Sequence, residues 1–162
     1  MGTVWTAEQQ KVIDLRNRNI LVSAAAGSGK TAVLVERIIQ RITDAREPVD
    51  VDRMLIVTFT EAAASEMKER IAAAIEKQLE QRPGDDRLER QAALIHTAPI
   101  TTIHSFCLSV IRDHFHVIGI DPGFRIVEEG ELKLLRQDVL DEMLEECYEK
   151  GDERFLAFVE KF

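Results

Sequence analysis

The chain has 162 residues, of which 45% are hydrophobic and 31% charged, enough for one domain with a proper core. A formal net charge of -8 excludes a protein that coats nucleic acid by bulk electrostatics. No apolar run approaches the roughly 20 residues of a membrane span, and no basic segment followed by an apolar one marks a signal peptide.

The charge is unevenly spread. Residues 1–127 carry 17 acids and 16 bases, whereas residues 128–162 carry 12 acids and 5 bases. Acidity belongs to the tail, so any nucleic-acid contact in the first part must be local. Cys107 and Cys147 form no metal-type cluster. They fit a reducing compartment, and a cytoplasmic protein with no membrane partner is expected.

Residues 6–15 predict a short helix, with Thr6 and Gln9 spaced as a capping box. Ile20-Leu21-Val22 then reads as a buried strand running into a tight loop of small residues. From Lys30, the apolar residues Val33, Leu34, Ile38, Ile39 and Ile42 recur at helical spacing. Residues 54–57 predict a second buried strand. A long helix is expected from about Ala62, with Met67, Ile71, Ala74, Ile75 and Leu79 on one face. Residues 82–86 break it, and a helix over 86–96 follows. Residues 99–103 predict a third strand, and His104 opens a helix to about His116. Asp121-Pro122-Gly123 turns the chain, and residues 124–127 suit a brief strand. A helix over 131–148 carries Leu132, Leu135, Val139, Met143 and Cys147 in line, and Gly151 and Asp152 end it. Strands alternating with helices imply a parallel sheet with helices on both faces.

The strongest motif is Ala24-Ala25-Ala26-Gly27-Ser28-Gly29-Lys30-Thr31, set between a predicted strand and a helix. That context marks a phosphate-binding loop. Backbone N–H groups converge on phosphate oxygens, and Gly27 and Gly29 permit the close approach. Lys30 is placed to reach the outer phosphates of ATP, and Thr31 to give a hydroxyl to Mg²⁺. These two are the candidate catalytic residues. Ala24 stands where such loops usually begin with glycine, which fits a subset of them.

Three further segments narrow the reading. They are Trp5-Thr6-Ala7-Glu8-Gln9; Val57-Thr58-Phe59-Thr60 with residues 62–71; and Thr101-Thr102-Ile103-His104-Ser105-Phe106-Cys107. In order and spacing the chain resembles the superfamily one DNA helicases of the UvrD/Rep type, and within them the AddA components of bacterial AddAB helicase–nucleases. Asp121-Pro122-Gly123-Phe124-Arg125-Ile126 and the acidic helix after it are similar to the same proteins.

The resemblance implies a partial RecA-like motor domain of the P-loop NTPase class over 1–106. A helical segment over 107–162 would lead into an accessory subdomain. It implies an ATP-dependent helicase with Mg²⁺, working on single-stranded DNA and double-stranded ends for break repair, and paired with an AddB-like protein. By the same resemblance Gln9 reads adenine, with helix capping as the alternative. Thr58, Phe59 and Thr60 touch single-stranded DNA, as do Thr102, His104 and Ser105. Phe59 alternatively packs in the core, and His104 alternatively caps a helix or packs in the core. Glu61 stands where the family often has asparagine, and a carboxylate is unfavourable beside a phosphate backbone. Lys68 and Arg70 read as solvated charges or phosphate contacts.

No apolar strand ending in a paired Asp-Glu follows His104. Asp85-Asp86 falls in a loop and Asp141-Glu142 inside a helix. The chain is therefore expected to be part of a longer protein and to lack turnover by itself. A small phosphotransferase or a nucleotide-gated binding module would use the same loop.

Overall fold

The structure, a computed structural model, describes residues 4–151 and 153–161. It divides into two units, Met1–His114 and Phe115–Phe162.

In the first unit, helix α1 (Ala7–Asp14) starts from a complete capping box. The Thr6 hydroxyl accepts the Gln9 N–H, and the Gln9 side chain accepts the Thr6 N–H at 2.9 Å. Helix α2 (Lys30–Ile42) buries Val33, Ile38, Ile39 and Ile42, one stripe of the predicted face. Leu34 departs from that stripe and stays 38% exposed. After a short 3-10 turn (Val51–Arg53) come strand β1 (Ile56–Thr58) and helix α3 (Glu61–Gln81). Helix α4 (Asp86–Leu94), strand β2 (Ile100–Thr102) and helix α5 (Ile103–Ile118) follow.

The strands pair in parallel, with Ile56 opposite Ile100 and Thr58 opposite Thr102. Helix α3 crosses between them, as a parallel pair requires. Met67, Ile71 and Ile75 of α3 pack with Ile38, Ile39 and Ile42 of α2, Leu88 of α4, and Ile56 and Ile100 of the strands. Full burial of each such side chain contributes about 1.5–3 kcal/mol. Gln91 of α4 is fully buried in the same region. Its amide accepts the Val51 N–H at 2.8 Å and donates to Asp50 at 2.7 Å, so the chain entering β1 is fastened to α4.

Three expectations change. Residues 20–22 are extended but form no strand, because among the described residues no neighbouring backbone supplies their ladder bonds; Leu21 is 97% exposed. Residues 124–127 likewise remain irregular. Helical cover is found on one face of the sheet, while Val57 on the other face stays 45% exposed.

Helix α5 is kinked at His114 (φ -123°, ψ 20°), where the two units divide. The second unit holds helix α6 (Glu129–Lys150) and the unforeseen helix α7 (Glu153–Val159). The apolar line expected on α6 contains no buried residue. Gly151 closes α6 in the left-handed conformation that glycine adopts without strain (φ 64°); the expected stop at Asp152 lies outside the described residues. No described helix is long and apolar enough to cross a membrane.

Candidate nucleotide and DNA sites

The loop ahead of α2 is exposed throughout residues 21–30. Gly27 (φ 77°) and Gly29 (φ 82°) take left-handed conformations, and Gly29 is the N-cap of α2. A side chain at either would be strained there, which is why the sequence needs glycine. Gly27 has open space where a Cβ would stand, so its backbone is accessible to a bulky anion.

Three sets of hydrogen bonds shape the loop. Ser28 N–H donates to the Ala25 carbonyl at 3.3 Å. Lys30 Nζ folds back to donate to the Ala24 and Ala25 carbonyls at 2.8 and 2.7 Å. Gln9 Nε2 donates to the Ser28 carbonyl at 3.2 Å. Gln9 therefore serves both as a capping residue and as a tie between α1 and the loop. Arg37 of α2 donates to the Val12 and Ile13 carbonyls, fixing the last turn of α1 against α2.

Beside the loop lies a cavity of about 750 Å³, lined among others by Thr6, Gln9, Val12, Ser28, Lys30 and Leu34. The unpaired residues Leu21 to Ala24 form another part of its wall. Exposed Leu34 thus has a place: it supplies apolar wall rather than core. An anion-receptive helix N-terminus, one long-armed cation and an apolar recess suit a nucleoside polyphosphate. Ala26 lies in the exposed loop, and Thr31 in the first turn of α2 is half-buried.

The second group of residues leaves the sheet at one edge. Because β1 and β2 are parallel and in register, residues 59–60 and 103–105 emerge side by side at the strands' carboxyl ends. Ligands of open α/β sheets bind at such edges. Phe59 is 98% exposed, which removes the core-packing alternative for it. His104 is exposed on the first turn of α5. The hydroxyls have local duties. Thr58 donates to the Thr60 carbonyl at 3.0 Å, and Thr60 caps α3 by accepting the Ala63 N–H at 3.2 Å. Thr102 and Ser105 donate to Glu61 Oε1 at 2.8 and 2.7 Å. Those two hydrogen bonds, Ser105's first, hold the Glu61 carboxyl below its usual range.

Glu61 is the residue the sequence undervalued. Its carboxylate is bonded to both hydroxyls instead of facing a ligand alone. The available signal was the Thr102–Ser105 spacing, three residues apart at a helix start, which sets two hydroxyls on one side. Lys68 also has a structural partner: its ammonium donates to the His96 carbonyl at 2.8 Å. Arg70 pairs with Glu66 across one exposed helical turn.

The glycine-bent loop at a helix N-terminus and the polar edge of a parallel strand pair lie in one α/β domain. The sequence profile of the UvrD/REP helicase N-terminal domain matches residues 5–160, and the chain belongs to that family. It is 64% identical over 158 residues, 98% of its length, to a Lachnoclostridium phytofermentans protein named as the A component of an ATP-dependent helicase/nuclease. Proteins of the same name from Clostridium perfringens and Bacillus licheniformis are 57% and 55% identical over 100% and 99% of the chain. The chain spans only 12% of the first relative's length and 13% of the other two.

Proposed function

We propose that this chain is the ATP-binding front of an ATP-dependent DNA helicase/nuclease. In the whole protein it would translocate on single-stranded DNA and process double-strand ends for recombinational repair, together with an AddB-like partner. The observation that carries the nucleotide reading is the loop of residues 24–31, bent at two left-handed glycines onto the α2 N-terminus. This supports a RecA-like P-loop motor domain over 1–106, with 107–162 as the helical approach to an accessory subdomain. The names of the relatives favour this reading over a phosphotransferase or a passive binding module.

The residues fit Mg²⁺–ATP. Backbone N–H groups of 27–31 would hold the phosphates, Lys30 would exchange its two carbonyl partners for phosphate oxygens, and the Thr31 hydroxyl would reach the metal. Bound Mg²⁺ would neutralise charge on the outer phosphates. Gln9 would read adenine with the amide that now holds Ser28. Phe59 would stack on a base, and His104 with the segments carrying Thr58, Thr60, Thr102 and Ser105 would line the path of the DNA strand.

Among the described residues no carboxylate follows β2 at a strand end to orient water. Binding without turnover is the expected behaviour of this chain. Calorimetry with Mg²⁺–ATP and a phosphate-release assay test it: saturable binding and negligible release are expected. Failure to bind nucleotide would overturn the reading.

A further inference from the structure

Glu61 stands between the two segments that leave the sheet edge. It is the first residue of α3, directly after Thr58-Phe59-Thr60, yet its side chain reaches across to β2 and α5. A single oxygen, Oε1, accepts from both Thr102 Oγ1 and Ser105 Oγ. The two hydroxyls also lie 3.1 Å apart, and Thr102 Oγ1 accepts the Ser105 N–H at 3.2 Å. Thr102 is buried while the carboxylate is at the surface, so the arrangement has an inner anchor and an outer charge.

A hydroxyl has one proton to give. With both protons used inside this cluster, Ser105's on Glu61 and Thr102's on Glu61 or on the Ser105 oxygen, the two residues offer only lone pairs to anything approaching from outside. Phosphate oxygens are acceptors and cannot use them. The carboxylate also repels phosphate at that spot. The strand must therefore be met here by other groups.

We propose that Glu61 is a positioning residue that locks the two DNA-facing segments together and withholds the Thr102 and Ser105 hydroxyl protons from phosphate, a reading that rests on the DNA assignment above. Glu61 thereby steers the strand toward exposed Phe59 and His104, favouring base contact over backbone contact at this edge.

Glu61→Ala and Glu61→Gln separate the effects, since glutamine keeps an acceptor oxygen for the two hydroxyls while it loses the charge and gains an amide N–H donor. Binding of fluorescein-labelled oligo-dT to the full chain at low salt, followed by anisotropy, gives the first readout. Glu61→Ala should bind more tightly than Glu61→Gln, by about two- to tenfold, the worth of one released hydrogen bond. Ser105→Ala should then cost more affinity in the Glu61→Ala background than in the native one, by a similar factor. Equal costs in the two backgrounds would overturn the proposal.

Amide hydrogen exchange gives the second readout and does not need DNA. Exchange at the Ser105 N–H should accelerate in Glu61→Ala and stay near native in Glu61→Gln. Unchanged exchange in Glu61→Ala refutes the lock. If the native chain binds no oligo-dT at any salt, the DNA assignment fails, and exchange alone decides whether Glu61 holds the two segments together.

Discussion

Replacing Lys30 by alanine tests the nucleotide site most directly. In the structure its ammonium makes two hydrogen bonds to loop carbonyls, at 2.8 and 2.7 Å. On nucleotide binding these would be exchanged for bonds to phosphate oxygens. A hydrogen bond to a charged group contributes about 1.5–3 kcal/mol net. The bonds surrendered to Ala24 and Ala25 offset part of that gain, so the lower end applies. At about 1.4 kcal/mol per decade, the loss in affinity is roughly tenfold, approaching a hundredfold only if both bonds are regained in full. The fold should hardly respond, because residues 21–30 are exposed and bury no core. Titration calorimetry with Mg²⁺ and a non-hydrolysable ATP analogue gives the affinity, and urea unfolding gives the stability. An affinity within twofold of native, in a variant of native stability, would refute the assignment of Lys30 to phosphate.

Phe59→Ala should weaken oligo-dT binding by about 1–3 kcal/mol, the worth of one base–aromatic stack, and leave the urea midpoint unchanged; a loss of stability instead would mean the ring packs internally. Gln91→Ala should lower stability by about 1–3 kcal/mol, since the Val51 N–H loses its acceptor in a fully buried place; a neutral result in urea unfolding would show that water replaces the amide. Gln9→Ala removes half of a capping box and the tie to Ser28, so a stability loss of about 1 kcal/mol should accompany weaker nucleotide binding. Glu61 sets a pH dependence. Its folded pKa is lowered by Ser105 and then Thr102, so its stabilising effect is complete above the ordinary glutamate value, about 4.3. The effect is lost as pH falls through the lowered value. The stability gap between native and Glu61→Gln chains should therefore close between pH ~7 and strongly acid conditions, and a gap constant over that range would contradict the hydrogen bonds.

The elements that sequence made legible are those whose apolar period is satisfied within the chain. Ile71 and Ile75 fall on the predicted stripe of α3, and both are fully buried against α2 and α4. The capping box at Thr6 and Gln9 needs only a few consecutive residues, and it forms as expected. Ile20-Leu21-Val22 has an equally strong local signal but forms no strand. A strand is a relation between two backbones, and apolar composition at one of them does not supply the other. The same distinction governs α6, whose expected line from Leu132 to Cys147 holds no buried residue.

The sites divide along similar lines. Positions fixed by backbone geometry were readable: Gly27 and Gly29 are glycine because φ is positive, and the loop follows from them. Positions whose role depends on a distant partner were not. Gln9 is 19 residues from Ser28, and Glu61 is 41 and 44 residues from Thr102 and Ser105. Judged alone, Glu61 is a charge badly placed beside DNA. With its two hydroxyl partners in view, the same charge acquires a reason: it is the acceptor that joins the ends of β1 and β2. On the proposed DNA reading, whether a residue at this edge would touch nucleic acid depends less on its type than on where its proton already goes. By that criterion Phe59, which has no side-chain proton to commit and is exposed, is the contact the geometry leaves most open, and Thr102, buried and bonded, is the one it leaves least.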